Sequence, residues 1–316
     1  MSHSNRLARI ALTQGVWGRG VARLLLIACC LASIGSNAAP LLWSVEDPKT
    51  KATLYLFGSI HFGVETLYPL PKHVTNAFSQ SDALAVELDL SSIDSSEASR
   101  VLHSVGRLPD GDRIRDQLSE KSWQSLNRVA RSLELPVEAL ERLQPWLIAV
   151  QLTAAQVRRS GFSEGYGVDR YFLTLAKHPV APKPIIELET FEQQMSLFGG
   201  LTAKQQALFL EQTFEDLELA EHMLGSIIEA WSAGDEIQLE TLITDAFQAE
   251  GSEQLYERIF VRRNQKMEAR LVRSLEKQET LFVVVGAGHI IGPDGLKQRF
   301  VDRGYVVKIV EGDGLF

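Results

Sequence analysis

The sequence predicts an α/β protein with a central sheet, mixed or mostly parallel, built from N- and C-terminal strands around a largely helical middle. Apolar runs of strand length lie near the two ends of the chain, at residues 41–45, 52–57, 83–88, 281–285 and 305–310. Between the two groups, apolar residues recur every three or four positions, which is the period of amphipathic helices. No linker rich in Gly, Ser or Pro interrupts this order. We therefore predict one domain over residues 39–316.

The first elements have the pattern of a βαβ unit. The apolar stretch 52–57 ends at a glycine, and the stretch 83–88 is the next of strand length. Residues 71–81 between them have the length of a short helix, with Pro71 near its first turn, where proline is favoured. Two strands joined in this way are expected to lie parallel, with a right-handed crossover.

The middle of the chain is predicted to be mostly helical. Helical periodicity covers residues 114–133, 137–159, 168–176, 191–198, 203–233, 236–247 and 252–275. A strand at 183–188 interrupts these helices. Pro182 and Pro184 favour an edge position for it, because proline has no N–H to donate to a neighbouring strand. A last helix at 294–303 precedes the final strand.

The first 38 residues have the composition of a secretory signal. No acidic residue precedes Glu46, four arginines stand in the first 23 positions, and an apolar run follows at 24–34. This run is about half of the ~20 residues that a membrane-spanning helix needs. Small residues then lead to a cleavage site after Ala38. Cleavage there removes four arginines, changes the formal charge from −8 to −12, and leaves no stable membrane span. The mature protein is expected to be secreted or periplasmic.

Both cysteines lie within the predicted signal. Leu26-Ile27-Ala28-Cys29 also matches a bacterial lipobox, so a lipoprotein anchored at Cys29 is the alternative to simple cleavage. With cleavage after Ala38, the exported protein has no cysteine, which excludes disulfides, thiolate ligands and a cysteine nucleophile. Any chemistry must then come from imidazole, carboxylate, hydroxyl or amine groups.

The charge balance argues against a nucleic-acid partner. The chain carries 40 acidic and 32 basic residues and no long run of Lys or Arg. A general nucleic-acid binder needs a basic face to neutralise phosphates. No nucleic-acid partner is therefore expected.

Two similar motifs carry the candidate chemistry. Each is an apolar strand followed by Gly-x-x-His, from Gly58 to His61 and from Gly286 to His289. Ligands bind at the carboxyl ends of strands in open α/β sheets, so both histidines are expected at one edge if their strands are parallel. Glu87, near the end of the strand 83–88, would join them. Two imidazoles and a carboxylate from separate strand ends form a plausible site for a divalent metal.

Structural interpretations of the same residues remain open. Either histidine can be a hydrogen-bonded residue at a strand end, and Glu87 can be a buried member of an ion pair with Arg263. A dinucleotide loop is disfavoured, because Ile291 stands where the last glycine of Gly-x-Gly-x-x-Gly is required.

At this point the chain resembles the TraB/GumN family of exported bacterial proteins. The resemblance rests on segments in the family's order, at residues 57–61, 68–71, 81–89, 167–172, 188–194, 231–235, 263–267 and 284–289. The same superfamily includes the animal TIKI metalloproteases, which have two Gly-x-x-His motifs and an acidic residue after the first. Carried over by position, these residues are His61, Glu87 and His289.

The resemblance implies a divalent metal, Mn²⁺, Co²⁺ or Zn²⁺, that His61 and His289 bind. It implies that Glu87 is either a ligand or the general base toward a metal-activated water. Waters or Glu189 would complete the ligand set. Asp169, Arg263 and Asn264 are secondary candidates for orienting the site.

Two functions follow from this resemblance. The first is an exported metal-dependent hydrolase, most simply a peptidase, with a peptide or a small molecule as its substrate. The alternative is a non-catalytic protein of the periplasm or cell envelope that binds haem or another metal-containing ligand in the histidine-lined cleft.

Overall fold

The computed structural model describes residues 39–217, 220–245, 247 and 253–312, and the predicted signal with Cys29 lies outside them. Six strands form one mixed sheet, as the sequence predicts: β1 Leu42–Glu46, β2 Thr53–Ser59, β3 Ala83–Val86, β4 Ile185–Glu187, β5 Leu281–Gly286 and β6 Val306–Ile309. Their spatial order is β4-β3-β5-β2-β1-β6. Strands from both ends of the chain therefore share the sheet, and β4 lies at an edge.

The C-terminal strand β5 lies in the centre of the sheet. It pairs in parallel with β2 on one side and β3 on the other, whereas β1 pairs antiparallel with β2 and β6. The predicted βαβ unit thus has parallel strands, but β5 separates them. Within the ladder Ser59 pairs with Gly286, so β2 and β5 end at the same level of the sheet.

Helices occupy most of the chain between the strands, again as predicted. The helices that precede β4 are α1 Lys72–Gln80, α2 Ser95–Gly106, α3 Ile114–Gln117, α4 Glu120–Ser132, α5 Val137–Leu140, α6 Pro145–Arg159 and α7 Val168–Ala176. The later ones are α8 Phe191–Gly199, α9 Ala203–Asp216, α10 Ala220–Ala233, α11 Glu236–Asp245, α12 Glu253–Tyr256, α13 Arg262–Glu276, α14 Ala287–Ile290 and α15 Leu296–Asp302. A π-helical turn, Glu257–Val261, joins α12 to α13.

Several long predicted helices are divided, for local reasons. The helix predicted at 114–133 breaks where the Ser119 side chain accepts from the Ser122 N–H and starts α4. The helix predicted at 137–159 breaks before Pro145, which occupies the first turn of α6. The helix predicted at 203–233 is two helices, α9 and α10. Helix α2 was not predicted; the Asp94 carboxylate caps it by accepting from two backbone N–H groups.

Buried apolar residues form two main clusters. The larger surrounds the sheet, where Phe282 of β5 contacts Phe78 of α1 and Phe172 of α7 at ring-centroid distances of 5.6 and 4.7 Å. The second lies among the helices of the middle, around Trp146. Within the described ranges, no helix has the length and apolar character to cross a membrane.

Candidate functional site

The two Gly-x-x-His turns pack against each other at the carboxyl ends of β2 and β5. A Cβ atom at Gly58 would lie only 3.0 Å from the Ala287 Cα, so glycine at position 58 permits this close approach. The Trp231 indole N–H donates to the Gly58 carbonyl at 2.8 Å and so links α10 to the first turn. The second Gly-x-x-His segment forms the short helix α14, which includes His289.

The structure brings His61, Glu87 and His289 together in front of Gly286. A Cβ atom at position 286 would lie 3.2 Å from Glu87 Oε1, 3.8 Å from His289 Cδ2 and 3.9 Å from His61 Nε2. The missing side chain of Gly286 therefore leaves the space into which these three groups face. We refer to this space as the site pocket.

A methyl group at position 286 tests the packing of this pocket. We expect Gly286→Ala to lower the free energy of unfolding by about 1–3 kcal/mol, because the methyl group displaces a Glu87 carboxylate held in place by other bonds. Gly225→Ala in α10 is the matched control, since a Cβ there meets nothing within 4 Å. This control should gain up to about 1 kcal/mol, because alanine favours helix over glycine. Urea unfolding measures both, and equal gains in the two variants would contradict the packing described.

The tautomer of His289 is set by Asn264. The Asn264 side-chain N–H₂ donates to the Asp294 carbonyl at 2.8 Å, so its Oδ1 faces His289 Nδ1, at 2.6 Å. Nδ1 must then carry the proton, which leaves the lone pair on Nε2. His289 Nε2 lies 3.9 Å from Glu87 Oε1. Burial, reinforced by the Arg263 charge, lowers the pKa of His289 to about 3, so the ring is neutral at ordinary pH.

His61 is held in a similar way by Asp169, at the first turn of α7. Its Nδ1 lies 3.0 Å from Asp169 Oδ1, which leaves Nε2 directed to the site pocket. The His61 side chain keeps 43% of its surface accessible, whereas His289 is buried, so His61 is the solvent-exposed member of the pair. Burial lowers the pKa of His61, but Asp169 and Glu87 more than offset this and raise it to about 9.

The carboxylate of Glu87 is buried and has a partner on each oxygen. Oε1 accepts from the Gly286 N–H at 2.7 Å, and Oε2 accepts from Arg263 Nη2 at 2.5 Å and Gln194 Nε2 at 3.2 Å. Burial raises the pKa of a carboxyl group, but Arg263 and the two imidazoles more than offset this effect and hold the pKa of Glu87 well below its usual range. Glu87 is thus an ionised group with little capacity to take up a proton.

Arg263 joins Glu87 to Glu189. Its Nε lies 2.8 Å from Glu189 Oε1, and its Nη2 lies 2.5 Å from Glu189 Oε2. Gln194 donates to both carboxylates, at 3.2 Å to Glu87 and 3.1 Å to Glu189. The ion pair that the sequence left open is therefore present. Sequence reasoning missed Gln194, although it follows a capping box formed by Thr190 and Gln193 that fixes the start of α8.

The π-helical turn directly precedes the two site residues of α13. Arg263 Nη1 donates to the Ile259 carbonyl within this turn at 3.3 Å, and Phe260 lies 5.2 Å from the His289 ring, measured between centroids. Turns of this kind occur frequently at functional sites. Here the turn supports both the guanidinium and the second imidazole.

The joined groups carry an excess of negative charge. Three carboxylates (Glu87, Glu189 and Asp169) and one guanidinium leave a formal charge of −2 when both imidazoles are neutral. Across the described residues, no group of three or more His, Cys, Asp or Glu side chains is assembled in a position to hold a metal ion. The arrangement is thus two oriented imidazoles beside an acidic, arginine-bound cluster.

Fold and site together define an α/β protein with an imidazole and carboxylate site at the carboxyl ends of parallel strands. The chain belongs to the TraB/PrgY/gumN family, which it matches over residues 41–309. This match confirms the resemblance found in the sequence. The uncharacterized protein YbaP of Escherichia coli is 28% identical over 244 residues, covering 77% of this chain and 86% of YbaP.

Two more distant relatives have names that state an activity. A metalloprotease TIKI homolog of Amphimedon queenslandica and metalloprotease TIKI2 of Danio rerio are each 25% identical to this chain. The alignments cover 84% of this chain and 60% of each relative, so the chain spans about three fifths of their length. No solved structure matches the chain.

Proposed function

We propose that this protein is an exported metal-dependent hydrolase that cleaves amide bonds in peptides, with His61 and His289 as the metal ligands. One observation carries the proposal: each imidazole has its Nδ1 engaged by a side chain, and both rings border the pocket in front of Gly286, where His289 Nε2 lies 3.9 Å from Glu87 Oε1. Metal-binding histidines are characteristically fixed in this way through their second nitrogen. The names of the TIKI relatives support the same class of activity.

The chemistry of the donors fits a divalent first-row ion. Imidazole nitrogens suit Mn²⁺, Co²⁺ and Zn²⁺, and the surrounding negative charge favours a cation. No side chain projects from position 286 toward the two rings, where a Cβ would lie 3.8 Å from His289 Cδ2 and 3.9 Å from His61 Nε2. Two imidazoles alone make an incomplete ligand set, so Glu87 Oε1 and water are the candidates to complete it.

The residues of the chain have separate tasks under this proposal. A divalent cation supplies Lewis-acid polarisation of a carbonyl group and lowers the pKa of water. Asp169 and Asn264 orient the two imidazoles. Glu87 contributes fixed negative charge at the pocket rather than proton transfer, because Arg263 binds one of its oxygens and Gly286 the other. His61, His289 and Glu87 are not placed to hold an ion as they stand, so we propose that Glu87 joins the two imidazoles as a ligand when the metal binds and does not act as the general base.

Export is part of the proposal and rests on the N-terminal composition. A secretory signal ending at Ala38 places the protein in the periplasm or outside the cell, and acylation at Cys29 would instead attach it to a membrane. N-terminal sequencing and mass spectrometry of the exported protein distinguish the two processing routes.

Metal titration together with peptide cleavage tests the function. Protein stripped with EDTA should bind one divalent ion per chain in calorimetry with Mn²⁺, Co²⁺ or Zn²⁺. The metal-loaded protein should cleave members of a mixed peptide library. This cleavage should stop after EDTA treatment and recover when the metal is added again. Absence of metal uptake would overturn the proposal. A haem absorbance shift without any peptide cleavage would instead support the binding-protein alternative.

The role of Asn264 in setting the tautomer of His289 predicts an effect on metal affinity. We expect Asn264→Leu to weaken metal affinity by about 10–100-fold, because nothing then holds the proton on Nδ1. Asn264→Asp keeps an oxygen acceptor and should retain most of the affinity. Asn127→Leu on α4, which loses only a bond to the Trp123 carbonyl, serves as control. Calorimetry measures the affinities, and equal values for Asn264→Leu and the control would contradict this role.

A further inference from the structure

Ser59 is the last residue of β2 and lies two positions before His61. Its side chain is buried, with 3% of the residue surface accessible, yet its hydroxyl has no hydrogen-bond partner in the part of the chain that the structure describes. Ser81 is equally buried at 3%, but its hydroxyl donates to the Ala77 carbonyl at 2.8 Å. Buried hydroxyl groups nearly always have partners, so the Ser59 hydroxyl requires an explanation.

The position of this hydroxyl is set by the ladder between β2 and β5. Ser59 pairs with Gly286, and neighbouring strands lie about 4.7–4.9 Å apart. Paired residues on parallel strands project from the same face of the sheet. The Ser59 side chain therefore leaves the sheet on the face where a Cβ at position 286 would meet Glu87 Oε1 and His61 Nε2. The site pocket lies at the end of that face, in front of the paired Gly286.

The contacts also limit what this hydroxyl can do. A serine nucleophile is activated by a hydrogen bond to an adjacent base. Among the described residues, Ser59 makes no such bond to His61, whose Nδ1 is bound to Asp169. The hydroxyl is thus an unengaged donor beside a pocket that is also lined by the His61 ring, the neutral His289 ring and the ionised Glu87 carboxylate. A ligand oxygen in that pocket would find its hydrogen-bond donor in Ser59.

We propose that the Ser59 hydroxyl donates a hydrogen bond to the carbonyl oxygen of the substrate, and to the carboxylate oxygen of the product, in the site pocket. This inference rests on the proposed hydrolytic function, since it names the group that receives the reacting carbonyl. Ser59 is then a catalytic residue because it contacts the reacting carbonyl group, and it forms no covalent bond to the substrate. The partner of the buried hydroxyl is then the ligand itself.

The test compares Ser59→Ala and Ser59→Thr with Ser81→Ala, and acetate serves as the probe for a carboxylate product. Acetate is titrated by calorimetry into each protein, with and without added Mn²⁺. We expect Ser59→Ala to weaken acetate binding about tenfold, the effect of one hydrogen bond to a charged acceptor, and Ser59→Thr to restore it. Ser81→Ala should match the wild type in acetate affinity.

Thermal melting without metal or acetate supplies a readout that is independent of activity. Removing a hydroxyl without a partner should leave the melting temperature of Ser59→Ala within about 1 °C of wild type, whereas Ser81→Ala should lose several degrees. Equal losses in the two alanine variants would show that Ser59 already has a structural partner, and would overturn the inference.

The two proposals fail in different ways. Unchanged acetate affinity in Ser59→Ala, or no acetate binding by wild-type protein in either condition, overturns the role of Ser59. Absence of metal uptake and peptide cleavage by the wild-type protein overturns the hydrolase proposal. Acetate binding that depends on Ser59 would support the hydroxyl as a ligand contact even in that case.

Discussion

His61→Ala and His289→Ala are each expected to reduce affinity for the divalent metal by more than about 100-fold. Losing a residue that only orients a ligand costs roughly 10–100-fold, so loss of a ligand itself should cost more. Peptide cleavage should fall in parallel, because both imidazoles face the same pocket in front of Gly286. Calorimetry on metal-free protein measures the affinity, and a peptide assay at a metal concentration that just saturates the wild-type protein measures the cleavage.

The two variants should differ in stability, because the two histidines differ in burial. His289 is buried against Phe260 and bound to Asn264, so its removal leaves a cavity and an amide oxygen without its donor. His61 has a side chain that is nearly half accessible, so its removal should cost less. His103→Ala, at the exposed last turn of α2, is the matched control and should change neither metal affinity nor folding. Unaltered metal affinity in either His61→Ala or His289→Ala would refute the ligand assignment.

Local patterns in the sequence were enough to predict the strands and the candidate site residues. A buried strand that ends in glycine and then histidine indicates both a strand boundary and a side chain at the sheet edge, and this chain has two such patterns. Their meeting also required parallel strands, which the structure provides by pairing β2 with β5. Edge position could be predicted for β4, because prolines precede it.

Contacts between residues distant in sequence could not be predicted in this way. The insertion of β5 between β2 and β3 depends on pairing across some 200 residues, and no local pattern encodes it. The Trp231 bond to Gly58 and the Gln194 bond to Glu87 also join residues far apart in the sequence, so no local pattern predicts them. Glu87 remained ambiguous for a physical reason: a buried carboxylate needs a positive partner, and an arginine or a metal ion satisfies that need equally well.

Arg263→Met should lower the free energy of unfolding by about 3–5 kcal/mol at neutral pH, which is the typical cost of removing one member of a buried ion pair. Arg263 is the guanidinium that both Glu87 and Glu189 contact at 2.5 Å. After its removal, Gln194 still donates to both carboxylates, but the guanidinium that balanced their charge is gone. Arg262→Met is the matched control on the same helix. It breaks only an exposed pair with Glu257, so we expect a change within about 0.5 kcal/mol.

The stability lost in Arg263→Met should depend on pH in a direction that the pKa of Glu87 sets. In the wild-type protein the pKa of Glu87 is depressed on folding, so its contribution to stability is present above the unfolded pKa and is lost as pH falls through the folded one. In Arg263→Met, burial dominates and raises the pKa of Glu87, so protonation relieves the unpaired charge. The stability difference between the two proteins should therefore shrink as pH falls from 7 toward 5.

A second substitution tests whether the unbalanced carboxylate charge causes the loss of stability in Arg263→Met. Glu189→Gln added to Arg263→Met removes one of the two unbalanced carboxylates and should recover part of the lost stability, whereas Glu189→Gln alone should destabilise the protein. Urea unfolding at pH 5 and 7 measures all of these variants. If Arg263→Met unfolds like Arg262→Met at both pH values, the cluster is not held by this guanidinium. The acidic pocket would then need another source of positive charge, and the case for a bound cation would grow stronger.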